Sequence, residues 1–233
     1  MNIPQSEWKR AAARHAVGLI EPGMIVGLGH GSTVALAVQE IGERLKRGEL
    51  QDIVAIPCSE EIRSDASQLG IRLSDFASHS SIDLTIDGAD EVDPQLNLIK
   101  GGGGALLREK ILAQASRREV IMVDESKLSA HLGEKWAVPI EVLPYGWELQ
   151  KRFLESLGAR VSVRLAGRSL MHTINGNMIL DANFGPIMNP QLLAVRMTGH
   201  AGLIEHGLFV GMATEVVVAG ASGIQVLRAS SLV

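Results

Sequence analysis

The first half of the chain alternates short apolar runs with amphipathic stretches, a pattern typical of an α/β protein. Near-continuous runs rich in Val, Ile and Leu favour a parallel sheet that is covered by helices on both faces. The predicted strands are residues 24–28, 53–56, 84–86 and 120–123. The predicted helices are residues 6–19, 32–47, 59–69 and 104–117.

The pattern changes near Pro139, where the order of elements becomes β-α-β-β-α-β, the split βαβ or ferredoxin-like arrangement. The strands predicted in this part are residues 138–143, 160–164, 178–181 and 203–210. The helices predicted between them are residues 147–157 and 190–195. Two further strands, 215–219 and 223–227, are expected to return to the first sheet.

Composition places the chain among soluble globular proteins. Of its 233 residues, 46% are hydrophobic and 21% are charged, and the length suits one large domain or a domain with a smaller partner. The net charge of −4 and the 3% aromatic content offer no basic or stacking surface for nucleic acid. We therefore expect no nucleic-acid partner.

Cysteine usage and apolar runs bear on location. The single cysteine, Cys58, excludes an internal disulfide framework and is expected to be a buried small hydrophobe in a reducing compartment. Residues 1–20 carry charges throughout and lack the apolar segment of a signal peptide. No apolar run is long enough to span a bilayer. We expect a cytoplasmic protein without a membrane partner.

The loop Gly27–Thr33 reads GLGHGST and lies between a predicted strand and a predicted helix. Ligands of parallel sheets bind at the carboxyl ends of the strands, and N–H groups at a helix start bind anions. Gly31 and the hydroxyls of Ser32 and Thr33 therefore predict an anion site. The loop lacks G-x-G-x-x-G and the Walker lysine, which favours a single phosphate over a nucleotide. The alternative is a tight turn that Ser32 caps.

Carboxylates follow the third predicted strand in Asp87-Gly88-Ala89-Asp90-Glu91. Asp87 and Asp90 are three residues apart, so both are able to face one crevice. Two alternatives remain open: a local turn in which the carboxylates bond nearby N–H groups, and a metal site, which the absence of a neighbouring histidine disfavours.

Four consecutive glycines, Gly101 to Gly104, precede the predicted helix that carries Glu109. Glycines contribute no side chain to a core, so this loop suits a ligand that approaches main-chain N–H groups. Glu109 shares a helical stripe with apolar residues, which favours desolvation, a raised pKa and a role as general base. Taken alone, a solvated glutamate between Arg108 and Lys110 is the commoner situation.

Two lysines lie at predicted strand ends on the same edge of the sheet. Lys100 precedes the glycine run, and Lys127 closes the Val123–Lys127 turn. A lysine in a crevice holds a phosphate or stabilises an oxyanion, whereas a lone lysine is ordinarily a solvated surface residue.

Taken together, these segments resemble ribose-5-phosphate isomerase of the A type. The matching motifs are GLGHGST at 27–33, IDGADEVD at 86–93, KGGGGALLREK at 100–110, VDESK at 123–127, NGNMILD at 175–181 and HGLF at 206–209. The resemblance implies an α/β fold in which a Rossmann-like parallel sheet domain carries a smaller ferredoxin-like α+β domain. The first would comprise residues 1–130 and 211–233, and the second residues 131–210.

The resemblance also implies a reaction, the interconversion of D-ribose 5-phosphate and D-ribulose 5-phosphate through an enediolate, in the non-oxidative pentose phosphate pathway. Glu109 would be the base, Asp87 would assist ring opening, and Asp90 and Lys100 would bond the sugar hydroxyls and the developing charge. No metal or organic cofactor is expected. The family implies a homodimer or homotetramer.

Further contacts with the phosphorylated pentose are implied by the same resemblance. The N–H groups of the glycine run would form the oxyanion hole, and Lys9 matches the family only loosely as a phosphate ligand. The remaining predicted substrate-binding residues are His30, Gly31, Ser32, Thr33, Gly88, Ala89, Gly101, Gly102, Gly103 and Lys127.

This chain departs from the family at two positions. His30 stands where the family usually has Thr, and its ring would either bond the substrate or turn outward. The glycine run is four residues long where the family often has three glycines and then Ala, which loosens the loop but keeps its donors.

Three other functions compete with this one. The first is isomerisation of a different phosphosugar. The second is a non-catalytic sugar-phosphate sensor, which would need a DNA-binding element and no Glu109. The third is a CoA transferase-like enzyme, which would use a glutamate as nucleophile rather than as base.

Overall fold

The computed structural model describes residues 5–228 and has the mixed α/β architecture predicted from the sequence. The α-helices are α1 Gln5–Val17, α2 Ser32–Lys46, α3 Glu60–Gln68, α4 Leu106–Ala115, α5 Trp147–Ser156 and α6 Pro190–Met197. The strands are β1 Ile25–Leu28, β2 Val54–Pro57, β3 Leu84–Gly88, β4 Glu91–Val92, β5 Leu98–Ile99, β6 Glu119–Asp124, β7 Val138–Val142, β8 Arg160–Val163, β9 Leu165–Ala166, β10 Ser169–Leu170, β11 Met178–Asn183, β12 Leu203–His206, β13 Leu208–Phe209, β14 Glu215–Gly220 and β15 Gly223–Arg228. A 3₁₀ turn, Glu125–Lys127, follows β6.

The chain divides into two compact units. Among the described residues, the first unit comprises residues 5–89, 108–127 and 212–228, and the second comprises residues 90–107 and 128–211. The boundary therefore falls between Ala89 and Asp90, inside the carboxylate motif.

The two units differ from the expected domain ranges mainly at residues 90–107. The sequence placed these residues with the parallel sheet, whereas the structure groups them with the second unit. The short strands β4 and β5 explain the difference, because they pair with each other and with β13 in an antiparallel sheet. None of these two-residue strands was predicted as an element of its own, since each is too short to show a period. The assignment of functional domains stays a proposal.

The first unit is built on a six-stranded sheet with the order β15-β14-β6-β3-β1-β2. All neighbours are parallel except β14 and β15, which form an antiparallel hairpin. Its predicted strands and helices are present with bounds shifted by at most two residues. The parallel register places the carboxyl ends of β1, β2, β3 and β6 at one edge, where a ligand site of such a sheet is expected.

The second unit contains a four-stranded antiparallel sheet with the order β12-β7-β11-β8. Helices α5 and α6 follow β7 and β11, which gives the predicted β-α-β-β-α-β order. Apolar residues on alternate positions of β7 and β11, among them Ile140 and Leu180, form the core of this unit.

The prediction of one strand over residues 203–210 was wrong, because β12 and β13 are separate at Gly207. A Cβ on Gly207 would lie 2.3 Å from the carbonyl oxygen of Lys100. The N–H of Gly207 donates to Pro139 at 2.7 Å, and its carbonyl accepts from Lys100 at 2.9 Å. Glycine therefore allows the chain to pass from pairing with β7 to pairing with β5.

Within residues 5–228, no helix combines the length and the apolar character that crossing a membrane requires.

Candidate active site

Asp87 lies on β3 in the first unit, with its carboxylate directly over the loop after β1. The side chain is fully buried, and Oδ1 accepts from the N–H groups of Gly88 at 2.7 Å and His30 at 3.2 Å. A Cβ on Gly29 would lie 1.9 Å from Cγ of Asp87, so only glycine leaves room for this carboxylate. One oxygen of Asp87 thus bonds local N–H groups, as the turn interpretation of the sequence predicted.

The ring of His30 packs against the start of α3. Its Nδ1 lies 3.1 Å from Oγ of Ser59 and 3.9 Å from a carboxylate oxygen of Glu61, and the side chain is 17% exposed. Ser59 also accepts from the N–H of Ile62 as the cap of α3. Protein groups therefore hold the ring on this side, and any contact of His30 with the substrate stays a prediction.

The start of α2 is an uncapped helix end with a lysine beside it. Gly31 is the N-cap, its φ is +105°, and no side chain accepts a hydrogen bond there. The alternative, in which Ser32 caps a tight turn, does not hold, because Ser32 is already the first helical residue. Its Oγ instead accepts from Nζ of Lys9 at 3.1 Å. First-turn N–H groups, a hydroxyl and an ammonium together suit an anion.

Asp124 ends β6, and Lys127 ends the 3₁₀ turn that follows in the same unit. Burial of the Asp124 carboxylate raises its pKa, but hydrogen bonds from Ser126 and Gln5 outweigh burial, and the nearby charge of Lys127 adds to them, so the pKa is lowered. The amide of Gln5 donates to Oδ2 at 2.9 Å. Asp124 is therefore an anion at neutral pH that keeps a negative charge next to Lys127.

Glu109 lies in the first turn of α4 and is only 4% exposed. Its neighbours on the predicted apolar stripe, Leu106 and Leu112, are buried as well. The solvated glutamate that the sequence alone made commoner is therefore not what the fold contains. Burial of the carboxylate is compatible with a general base, a role that stays a prediction for Glu109.

Asp90 and the glycine loop, which we define as Gly101–Gly104, come together in the second unit. Oδ2 of Asp90 accepts from the N–H of Gly102 at 2.7 Å. A Cβ on Gly102 would lie 2.7 Å from Oδ1 of Asp90, so a side chain there would displace the carboxylate. The N–H of Gly104 donates to the carbonyl of Gly101 at 3.0 Å. Two of the four predicted oxyanion donors are thus engaged, which leaves the N–H groups of Gly101 and Gly103 as candidates.

Arg164 contacts the other side of the glycine loop, and sequence reasoning missed it. Its Nη1 donates to the carbonyl oxygens of Gly101 at 2.7 Å and Gly102 at 3.0 Å. Its Nε donates to Asp181 at 2.9 Å, and Nη2 forms a second bond to the same carboxylate. An isolated arginine at a strand end carries no sequence signal, although Asp181 closes one of the family motifs quoted above.

Lys100 is not a solvated surface lysine, since it is 2% exposed. Its Nζ lies 5.3 Å from the ring centroid of Phe209, within the range of a cation–π contact. A buried ammonium retains strong electrostatic influence on a nearby oxyanion. The burial of Lys100 is therefore compatible with its predicted role beside a developing negative charge.

Carboxylate, imidazole and thiol side chains are the common metal ligands of proteins. Across residues 5–228, no three carboxylate, imidazole or thiol side chains converge as metal ligands. The carboxylates of Asp87 and Asp90 instead accept hydrogen bonds from main-chain N–H groups.

The sequence matches one protein family over most of its length, because the family model of ribose 5-phosphate isomerase A (phosphoriboisomerase A) covers residues 54–223. The chain belongs to the ribose 5-phosphate isomerase A family. The resemblance that the motifs predicted is thus confirmed. A relative from Chloroflexus aurantiacus, a ribose-5-phosphate isomerase A, is 52% identical over 97% of this chain and 95% of its own length.

Solved structures of ribose 5-phosphate isomerases have the same fold. One, a D-ribose-5-phosphate isomerase in complex with phospho-erythronic acid, is 38% identical, covers 97% of this chain and 100% of its own, and has a TM-score of 0.95. The ribose 5-phosphate isomerase A of Methanocaldococcus jannaschii is 37% identical with the same coverage and a TM-score of 0.91. These matches confirm the predicted fold class for this member of the ribose 5-phosphate isomerase A family.

Proposed function

We propose that this protein interconverts D-ribose 5-phosphate and D-ribulose 5-phosphate through an enediolate, as a step of the pentose phosphate pathway. The buried position of Glu109 carries the proposal, because proton transfer beside a carbonyl needs one positioned base. Membership of the ribose 5-phosphate isomerase A family supports the choice of substrate. A solved relative also binds phospho-erythronic acid, an acid with a phosphate at one end.

In the proposed reaction Glu109 removes the proton from C2 of the open-chain aldose and returns it to C1. The carbonyl oxygen O1 gains a proton as the O2 hydroxyl loses one, so the product is the ketose and no redox partner is needed. Asp87 assists ring opening by accepting the proton of the C1 hydroxyl and returning it to the ring oxygen O4, as the C1–O4 bond breaks and the C1 carbonyl forms. Its carboxylate is buried and held by two N–H groups, which supports a fixed position.

The developing oxyanion would be stabilised by Lys100 and by main-chain donors of the glycine loop. Lys100 supplies a buried positive charge. Asp90 keeps the loop in shape through Gly102 and would bond a sugar hydroxyl with its other oxygen. Donors that are oriented before the reaction stabilise the transition state without reorganisation. Of the predicted loop donors, we retain Gly101 and Gly103 for the substrate.

The phosphate would bind at the start of α2 through Gly31, Ser32 and Thr33. Lys9, which contacts Ser32, provides a countercharge, and Lys127 is proposed as a second one. The phosphate is remote from the reacting carbons and supplies binding energy that orients them. His30, Gly88 and Ala89 would line the sugar, although the N–H of Gly88 already donates to Asp87.

The test is an isomerase assay with ribose 5-phosphate for the wild type, Glu109→Gln and a matched control, Glu148→Gln, at an exposed position of α5. Glu109→Gln should fold and bind substrate but lose at least about 100-fold in kcat, since it cannot accept a proton. The control should match the wild type. Turnover of Glu109→Gln at the wild-type rate would contradict the role of Glu109 as base. A wild type that does not convert ribose 5-phosphate would contradict the proposed function.

The competing phosphosugar substrates are tested in the same assay. We expect kcat/KM for ribose 5-phosphate to exceed that for arabinose 5-phosphate and glucose 6-phosphate by at least about 100-fold, because a site that pairs sugar hydroxyls rejects wrongly placed ones. A higher kcat/KM for either competitor would reassign the substrate.

Location and assembly complete the proposal. Cys58 is buried and is the single cysteine of the sequence, which supports a reducing compartment, and we propose the cytoplasm. We also propose a homodimer or homotetramer on the basis of the family resemblance. Sedimentation equilibrium of the purified chain distinguishes these assemblies from a monomer.

A further inference from the structure

Arg164 holds the glycine loop by its carbonyl oxygens. One nitrogen, Nη1, donates to both Gly101 and Gly102, so a single guanidinium fixes two successive peptide groups. Gly103 follows directly and is exposed. Glycine peptides rotate more freely than others, so a glycine loop has a fixed shape only where other groups impose it.

Because the peptide group is planar, hydrogen bonds that fix its carbonyl also fix the direction of its N–H group. In a trans peptide the C=O and the N–H of the next residue point in opposite directions. The Gly101–Gly102 peptide is held at both ends, since Arg164 bonds its carbonyl and Asp90 accepts its N–H. In the next peptide Arg164 bonds the carbonyl of Gly102, which directs the N–H of Gly103 away from the guanidinium.

Arg164 is itself rigidly held. Asp181 on β11 bonds it through two nitrogens, and the side chains are 14% and 24% exposed. Its own N–H donates to the carbonyl of Ile179 at 2.9 Å, and its carbonyl accepts from Met171 at 3.0 Å. The Met171 side chain in turn packs on Gly104, where an added Cβ would lie 2.5 Å from its methyl carbon. The loop is thus supported at several positions by one hairpin region.

We propose that Arg164 is a positioning residue for the isomerisation, which directs the N–H of Gly103 toward the developing enediolate oxygen. The inference rests on the proposed function, in which the glycine loop supplies the oxyanion donors. A hydrogen bond to the carbonyl also polarises the peptide and strengthens its N–H as a donor. Because Asp181 neutralises the guanidinium, Arg164 acts through the peptide rather than through its net charge.

The test replaces Arg164 with Met, which keeps the length of the side chain and removes its donors. We expect kcat to fall about 10- to 100-fold while KM for ribose 5-phosphate stays within about threefold, because an oxyanion donor acts mainly in the transition state. Arg164→Lys should recover part of kcat, since an ammonium reaches one carbonyl but lacks the planar fork. Arg160→Met, an exposed arginine on β8, is the matched control and should match the wild type.

A second readout separates positioning from loss of structure. A phosphorylated hydroxamate of erythronic acid mimics the enediolate, and its Ki should rise by the same factor as kcat falls in Arg164→Met. Thermal unfolding and circular dichroism identify any variant that fails to fold, and Arg164→Lys then provides the comparison.

The inference is overturned if folded Arg164→Met keeps kcat within about twofold, or if KM rises as much as kcat falls while Ki for the hydroxamate stays constant. Either result leaves the proposed function intact, because the wild type still isomerises ribose 5-phosphate and Glu109→Gln still fails. An inactive wild type would instead overturn the proposed function itself.

Discussion

Two glycine-rich loops of this chain present main-chain donors in different ways. In the first, Gly29–Thr33, Asp87 accepts from the N–H of His30, but no side chain caps the N–H groups at the start of α2. In the second, Gly101–Gly104, Asp90 binds an N–H group and Arg164 binds two carbonyls. The first loop is therefore open at the helix start, whereas the second is held by side chains on both sides.

The difference follows from what orients each peptide. A helix aligns its first N–H groups by its own hydrogen bonds, so the donors at the start of α2 need no side chain to orient them. The glycine loop precedes its helix and has no regular hydrogen-bonded ladder of its own. Its peptides therefore depend on Asp90 and Arg164 for a defined direction. We infer that the first loop suits ground-state binding of an anion and the second suits a transition state.

The largest effect that tests this comparison is expected for Gly102→Ala. The new methyl would lie 2.7 Å from Oδ1 of Asp90 and displace that carboxylate. The glycine loop would lose one of its two supports, and kcat should fall by about 100-fold, as on removal of an oxyanion donor. Steady-state kinetics with ribose 5-phosphate measure the change.

Gly31→Ala in the first loop provides the contrast to Gly102→Ala. Nothing lies within 4 Å of its added Cβ, but φ is +105°, so the effect is backbone strain. We expect a raised KM rather than a lowered kcat. A fall in kcat for Gly31→Ala, or an unchanged kcat for Gly102→Ala, would remove the distinction between the loops.

A middle-sized effect is expected for Lys9→Met at the first loop. Loss of the ammonium beside Ser32 should raise KM about tenfold with kcat within about twofold, because the phosphate is bound equally in ground and transition states. Inhibition by inorganic phosphate should weaken in parallel. The control is Lys46→Met, at the opposite end of α2 from Ser32, which should leave kcat and KM unchanged. A loss confined to kcat would contradict the binding role.

The smallest effect concerns Glu215, in the sheet that supports the first loop. Burial raises its pKa, but the hydrogen bonds and charges of Arg118 and Arg228 outweigh burial, and the pKa is lowered. Such a group stabilises the fold above the ordinary glutamate pKa of about 4.3, and this contribution is lost as the pH falls through the lowered value. Glu215→Gln should therefore reduce the free energy of unfolding by about 1 kcal/mol at pH 7, a small figure because both arginines are partly exposed.

Urea unfolding at pH 7 and near pH 3 checks this prediction, since the difference between wild type and Glu215→Gln should shrink in acid. The exposed Glu21→Gln, outside any helix or strand, serves as the control, with no stability difference expected at either pH. A Glu215→Gln difference that is just as large near pH 3 would show that packing, rather than ionisation, causes it.

The local pattern of apolar runs and short motifs was sufficient to predict most of the secondary structure and the protein family. Apolar runs predicted the long strands to within two residues, and the motifs at 86–93 and 100–110 predicted the family that the comparisons confirm. The failures were short or broken elements, such as β4, β5 and the interruption at Gly207. Two-residue strands have no detectable period, and a kink forced by a distant carbonyl leaves no trace in the neighbouring residues.

The sequence by itself singled out the residues proposed to carry the chemistry, because glycines, carboxylates and lysines are recognisable by type and spacing. Only the tertiary structure decided their states: Glu109 is buried rather than solvated, Ser32 meets Lys9 rather than capping its helix, and two glycine-loop N–H groups are already engaged. It also revealed Arg164, some sixty residues after the loop that it holds. Burial and hydrogen bonds between distant residues arise from packing, which no local period encodes.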